Sequence, residues 1–167
     1  AYFFSLLSPI NDIKLAQINL ISGLVIAIGL FFVWLKIGRK LRAPFAILRP
    51  QTSWMSREIY AVGLLFLSIG LMFIYSDPIL NATAAICAGA FLYCQARILH
   101  SGKGIPTWRV KQMPFMLIAT GLLEGVGLFM LLSFTWSVEI STNSLIPPFT
   151  ILLILLNSFL WRRYLRN

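Results

Sequence analysis

The feature that most constrains this chain is QINLISGLVIAIGLFFVWL, residues 17–35, which carries no charged side chain. A helix of about 20 apolar residues crosses the roughly 30 Å hydrocarbon layer of a bilayer. Four further runs follow, at about 59–76, 80–99, 114–134 and 146–161. They are long, and they do not alternate polar with apolar, which argues against strands. In lipid only a helix satisfies its own backbone without closing a barrel. The predicted fold is an all-α integral membrane helical bundle of about five full transmembrane helices. Composition agrees, because only 11% of residues are charged, against about 25% in soluble domains. Residues 1–167 read as a single transmembrane domain, with no internal repeat, low-complexity tract or soluble domain. The opening AYFFSLLSPI is too short to span and has no basic region ahead of it, so it reads as a partial N-terminal helix rather than a signal peptide.

Charge gives the orientation. The polar island 36–60 holds Lys36, Arg39, Lys40, Arg42, Arg49 and Arg57, six of the fourteen basic residues. Arg97, Lys103, Arg109 and Lys111 sit around the next alternate loop, and Arg162, Arg163 and Arg166 follow the last run. The other side has Lys14 beside Asp12, then Asp77 and Glu139. Cytoplasmic loops collect Lys and Arg, so loops 36–60 and 100–113 are expected on the cytoplasmic side of a bacterial or archaeal inner membrane. The same bias accounts for the net charge of +9 without a nucleic-acid partner. Trp34, Trp54, Trp108, Trp136 and Trp161 all lie at run ends or in loops, as interfacial anchors do.

Few residues can carry chemistry. His100 is the lone histidine, so this stretch holds no bis-His haem pair and no cluster with zinc-ligand spacing. Cys87 and Cys94 fall on one helical face two turns apart, too far for a disulfide. Neither Gly102-x-Gly104 nor Gly125-x-Gly127 follows a strand, so neither is a nucleotide loop.

Two acids stand out. Glu58 reads either as a first-turn acid complementing the helix dipole, with Ser56 as a possible cap, or as a proton acceptor at the membrane edge. Lys36, Arg39 and Arg42 read either as positive-inside charge or as the source of positive potential for a quinone oxygen. Glu124, in the middle of the fourth run, needs a basic group from another helix, such as Arg97, or a proton of its own. Gly121 and Gly125 have the small-xxx-small spacing that lets helices approach. The compact basic loop HSGKGIPTWRVKQMP, beginning at His100, reads either as a connector or as a docking surface.

LKIGRKLRAPFAILRPQTSWMSREIY resembles the membrane-anchor family of dimethyl sulfoxide reductase, whose pattern is roughly H/E-x-G-x-x-x-R-A, a spacer, then S-W-[LM]-[ST]-R-E. Gly38, Arg42, Ala43 and Ser53 to Glu58 match it. A second signature, an Arg near a helix end followed by P-[AT]-W, is matched by Arg97, Pro106, Thr107 and Trp108. The wording is most similar to anchors of the sulfite-dehydrogenase and phenylacetyl-CoA oxidoreductase type. The resemblance implies a non-catalytic subunit, a fragment of an eight-helix anchor. Such anchors hold an iron–sulfur electron-transfer subunit and a molybdopterin catalytic subunit and exchange electrons with quinone or menaquinone, without haem in the anchor itself. Carried over by position, Lys36, Arg42 and Glu58 are the candidate quinone-binding and proton-relay residues, with Arg39, Trp54, Arg57, Arg97 and Trp108 as secondary candidates. Family anchors often have His or Glu where Lys36 stands, which puts a proton role there in question. A membrane transporter and a purely structural anchor are the alternatives. A transporter would line a path with Glu124 and Arg97, but it normally shows broken helices and repeats.

Overall fold

The computed structural model describes residues 12–36, 51, 53–75, 77–102, 110–135 and 146–166. Five α-helices cover almost all of them: α1 (Asp12–Lys36), α2 (Trp54–Met72), α3 (Pro78–Ser101), α4 (Met113–Thr135) and α5 (Ile146–Leu165). No strand occurs among the described residues, so the expected all-α class holds. Gln17–Leu35 within α1, and α2, α3 and α4 entire, are long and apolar enough to cross a membrane. α5 runs for 20 residues, but Arg162 and Arg163 close its apolar stretch.

Each predicted run has its helix, with shifted ends. α2 starts five residues before the expected 59 and stops at Met72 rather than 76. Its first turn, Trp-Met-Ser-Arg, is polar and so looks like loop by hydropathy, yet a helix can continue into the interface. At its end the Phe73 N–H reaches the Gly70 carbonyl and the Ile74 and Tyr75 N–H groups reach that of Leu71, closing the last turn. α3 then begins sharply. Asp77 is extended, its Oδ1 accepts from the Ile79 N–H at 2.9 Å, and Pro78 stands first in the helix. A proline there loses an N–H that no helical carbonyl would have received.

The helices alternate up and down. α2 and α3 form the most extensive pair, α4 lies against α3 and α5, and α1 touches α2 and α4. One core, Leu65, Ile69, Ala84 and Cys87, fills the α2–α3 hairpin, with Ile26 of α1 packed on it. A second joins Ile18 of α1 to Val126, Phe129 and Leu132 of α4 and Ile146 and Leu153 of α5. Among the described residues Phe129, at 0% exposure, is the largest side chain completely enclosed. The outward faces are apolar as well, with Leu24, Ile28, Leu64, Ile86, Leu155 and Phe134 exposed. In water that surface would be an aggregation liability; in a bilayer it faces its solvent.

Several polar groups inside this shell are bonded within their own helix or across to a neighbour. The Ser22, Ser68 and Thr150 hydroxyls each donate to the carbonyl four residues earlier, at 2.8 Å. Asn19 of α1 donates from Nδ2 to Asn81 Oδ1 of α3 at 3.3 Å, with Met72 Sδ of α2 at 3.6 Å. That contact fixes three helices at one end of the bundle. At the opposite end lie the C-termini of α1, α3 and α5 and the N-termini of α2 and α4.

Candidate functional site

The candidate site is built on that second end, hereafter the rim, where α2 begins and α3 finishes. Ser53 precedes α2 in extended conformation and its side chain caps nothing. Ser56 is not the cap either. It is the third helical residue and fully buried. Glu58 is the fifth residue of α2, and the first turn holds no acid. The helix-dipole effect falls off within that turn, so the dipole reading of Glu58 gives way.

What Glu58 does instead is cross the hairpin. Its half-buried carboxyl accepts a hydrogen bond from Gln95 Nε2 of α3 at 3.3 Å. One turn earlier on α2, the ring of Trp54 is approached by two cations. The Arg57 guanidinium carbon stands 4.4 Å from the indole centroid and that of Arg97 4.9 Å. Tyr93 meets the same indole edge-on, with centroids 5.8 Å apart at 80°. The negative face of an aromatic ring attracts both cations, so one tryptophan holds two like charges close together. Arg57 also donates through Nη2 to the Gln51 carbonyl at 2.9 Å, tying the incoming chain to the helix. Arg97 Nε is buried and, among the described residues, finds no acceptor. An unpaired buried N–H costs about 1–3 kcal/mol, so it marks a position ready for an acceptor.

Four of the sequence-derived candidates therefore meet: Glu58, Trp54, Arg57 and Arg97. Lys36 closes α1 at the same rim. Arg39, Arg42 and Trp108 lie outside the described residues, as does most of the basic loop that begins at His100. Glu124 and Arg97 do not come together. Glu124 is exposed on the outer face of α4, whereas Arg97 is engaged at the rim.

Sequence reasoning missed Gln95 and Tyr93 as parts of the site. A signal for Gln95 existed. Glu58 and Gln95 stand symmetrically about the Asp77 turn, so an antiparallel hairpin centred there brings them level. Trp54 and Arg97 stand almost symmetrically about the same turn.

Cys87 and Cys94 are free and buried, as expected from their spacing. Among the described residues no group of three His, Cys, Asp or Glu has metal-binding proximity. An apolar groove of about 210 Å³ lies between α4 and α5, lined by Phe115, Ile118, Ala119, Leu122 and Leu153 among others. It is below the usual range of about 300–1,000 Å³ and has no polar group to orient a ligand.

Fold and rim together define a multi-pass integral membrane protein with a cation-rich end. A family model of the DMSO reductase anchor subunit (DmsC) matches residues 11–161, and the chain belongs to that family. It is a membrane anchor subunit. No curated protein and no solved structure matches it.

Proposed function

We propose that this chain anchors a molybdopterin/iron–sulfur oxidoreductase to the membrane and binds quinone or quinol, with menaquinone as one candidate, at the rim around Glu58. Electrons pass there to or from a docked iron–sulfur subunit. Membership in the anchor family implies docking with an iron–sulfur and a catalytic subunit. The loops 37–50 and 103–109 join helices at this rim, and they carry Arg39, Lys40, Arg42, Arg49, Lys103 and Arg109. On the positive-inside rule this rim is cytoplasmic, so the docked subunits sit on that side of a bacterial or archaeal inner membrane. The wording of the two signatures favours oxidation of sulfite or another sulfur compound by the catalytic subunit.

The residues present fit a quinone. Such a ring needs a donor for a carbonyl oxygen, an aromatic wall and a titratable group near water. Arg97 Nε is a buried N–H without an acceptor. Trp54 and Tyr93 provide aromatic surface. Glu58 is the carboxyl, held in orientation by Gln95. When bound, a quinol supplies two electrons and two protons. Glu58 takes the two protons one after the other and passes each to rim water, the electrons going to the docked iron–sulfur subunit, and Gln95 keeps the accepting oxygen turned toward α3. Arg57 and Arg97 hold positive potential across the indole, which favours oxygen carrying negative charge. Lys36, Arg39 and Arg42, at and after the end of α1 in sequence, are the further candidates for that positive potential, with Trp108 as a secondary candidate.

The observation that carries this reading is the Glu58–Gln95 bond beside the orphaned Arg97 N–H, at a membrane edge. In the assembled complex, Glu58→Gln is expected to lower turnover with a quinone analogue by about 100-fold, the scale of a lost general base. The iron–sulfur and molybdenum-containing subunits should still co-purify. Unchanged turnover and analogue affinity would leave a purely structural anchor.

A further inference from the structure

A helix returns to nearly the same face after seven residues, and that spacing sorts the contacts of α1, α2 and α3 into three tiers. In the first, Asn19 of α1 meets Asn81 of α3 and Met72 of α2. Seven residues on, Ile26 of α1 and Ala88 of α3 both pack on the hairpin core around Leu65 of α2. The third tier is Val33 of α1 with Glu58 and Gln95, the pair bonded at 3.3 Å. α2 and α3 hold together there, but α1 does not join them. Asn19 is 0% exposed, whereas Val33, on the same stripe of α1, is 60% exposed. At Gly29, one turn earlier, an added Cβ would meet nothing within 4 Å.

A wedge of space therefore separates the end of α1 from the hairpin at the level of Glu58. Its floor is the Ile26 and Leu65 tier, about 10 Å below. α1 has no charged side chain along 17–35, so the hairpin supplies the polar wall and Val33 an apolar one. That shape and chemistry choose the occupant. A helix inside the wedge would need the axes of α1 and α2 about 16–20 Å apart, twice the spacing of touching helices, only two turns above a packed tier. An acyl chain is thin enough, but it offers the carboxyl neither hydrogen bond nor proton. A flat ring with oxygen on its edge satisfies both walls, and the wedge is continuous with the Glu58–Gln95 bond.

We propose that the quinone ring enters this wedge sideways from the bilayer and lies with one face on Val33 and one oxygen at Glu58, so that Val33 sets which ring sizes are accepted. This rests on the quinone reading above and adds to it the second wall, the side of entry and the basis of ring selection. The floor stops the ring at the depth of the carboxyl. Because Val33 is largely exposed, replacing it alters the wedge and leaves the packing of the bundle in place.

The test uses the complete complex in membranes, stripped of its own quinone. A nitroxide at Val33→Cys should be mobile and open to oxygen, then become immobile and shielded when a short-chain naphthoquinone is added. One at the lipid-facing Leu155→Cys should not respond. Val33→Trp fills the wedge and should raise the KM for a short-chain naphthoquinol by about 10-fold, and that for the single-ring benzoquinol by less. An unchanged unfolding midpoint checks that the Trp leaves the fold intact, and the nitroxide measurement stands without it. Glu58→Gln separates the two readings. If it lowers turnover while the nitroxide stays mobile and Val33→Trp changes neither KM, the quinone reading stands and the wedge is overturned. If none of the three responds, both fall. A nitroxide at position 33 already immobile before any quinone is added would show the wedge filled by protein, and would also overturn the proposal.

Discussion

At the scale of single residues, Trp54 organises the rim more than any charged group does. It accepts two guanidinium groups on its ring and a tyrosine on its edge. Each cation contact contributes about 0.5–1 kcal/mol at a partly wet site, and the aromatic pair about as much. Trp54→Leu should therefore cost about 1–3 kcal/mol in detergent unfolding, and it should do so even where turnover is not measured. A Trp54→Phe variant should recover part of that loss, because the ring remains. At the other end, Asn81→Leu removes the acceptor for Asn19 Nδ2. Interhelical hydrogen bonds in membranes average about 0.6 kcal/mol and reach about 1.7, so a loss in that range is expected, read by the same unfolding curve. The residue types of the site were legible in the sequence, since scarce polar residues in apolar runs invite a role. Their partners were less so. Glu58 meets Gln95 only because the turn at Asp77 sets the register of the hairpin, and hydropathy says nothing of register.

Elements were easier to read than partners, because a membrane helix announces itself by length and lack of charge. The misplacement of α2 has a physical source. Its opening turn mixes Trp54, Ser56 and Arg57, residues suited to an interface, so the helix begins before the apolar run does. That shift changes the meaning of Glu58, from a terminal acid to one a full turn inside. Packing between elements also fixes which glycines matter. Gly121 abuts Leu92, whose flexible end can yield to a methyl group but not to a full side chain. Gly121→Ala should be tolerated, whereas Gly121→Leu should overpack the α3–α4 contact and cost about 1–3 kcal/mol. Gly63, where an added Cβ meets nothing, should behave oppositely. Gly63→Ala is expected to stabilise α2 by up to about 1 kcal/mol, the helix propensity difference. A thermal-shift series on the three variants checks both signs.

For the whole molecule, the arrangement that matters is asymmetry between the two ends. Thirteen of the fourteen basic residues fall at one end or in the segments adjoining it. Fusing a cytoplasm-active reporter within 37–50 or 103–109 should give activity, and within 137–143 none. The reverse pattern would move every docking argument to the other face. The up-and-down arrangement and the family were legible in the sequence, the latter through two short loop signatures. The outward exposure of Glu124 was not, because a carboxyl in an apolar run reads alike whether it points inward or outward.

The Asn19–Asn81–Met72 contact has a mechanical consequence. It pins α1 to the closed end of the α2–α3 hairpin, at the end of the bundle remote from Glu58. Helices joined at one end move like the legs of a compass: small angles at the pivot become large distances at the tips. For a helix of about 28 Å, the length of α2, a swing of about 7° opens its free tip by about 3.4 Å. That is the thickness of one flat ring, so a visitor from the lipid could slip between the tips without disturbing the pivot.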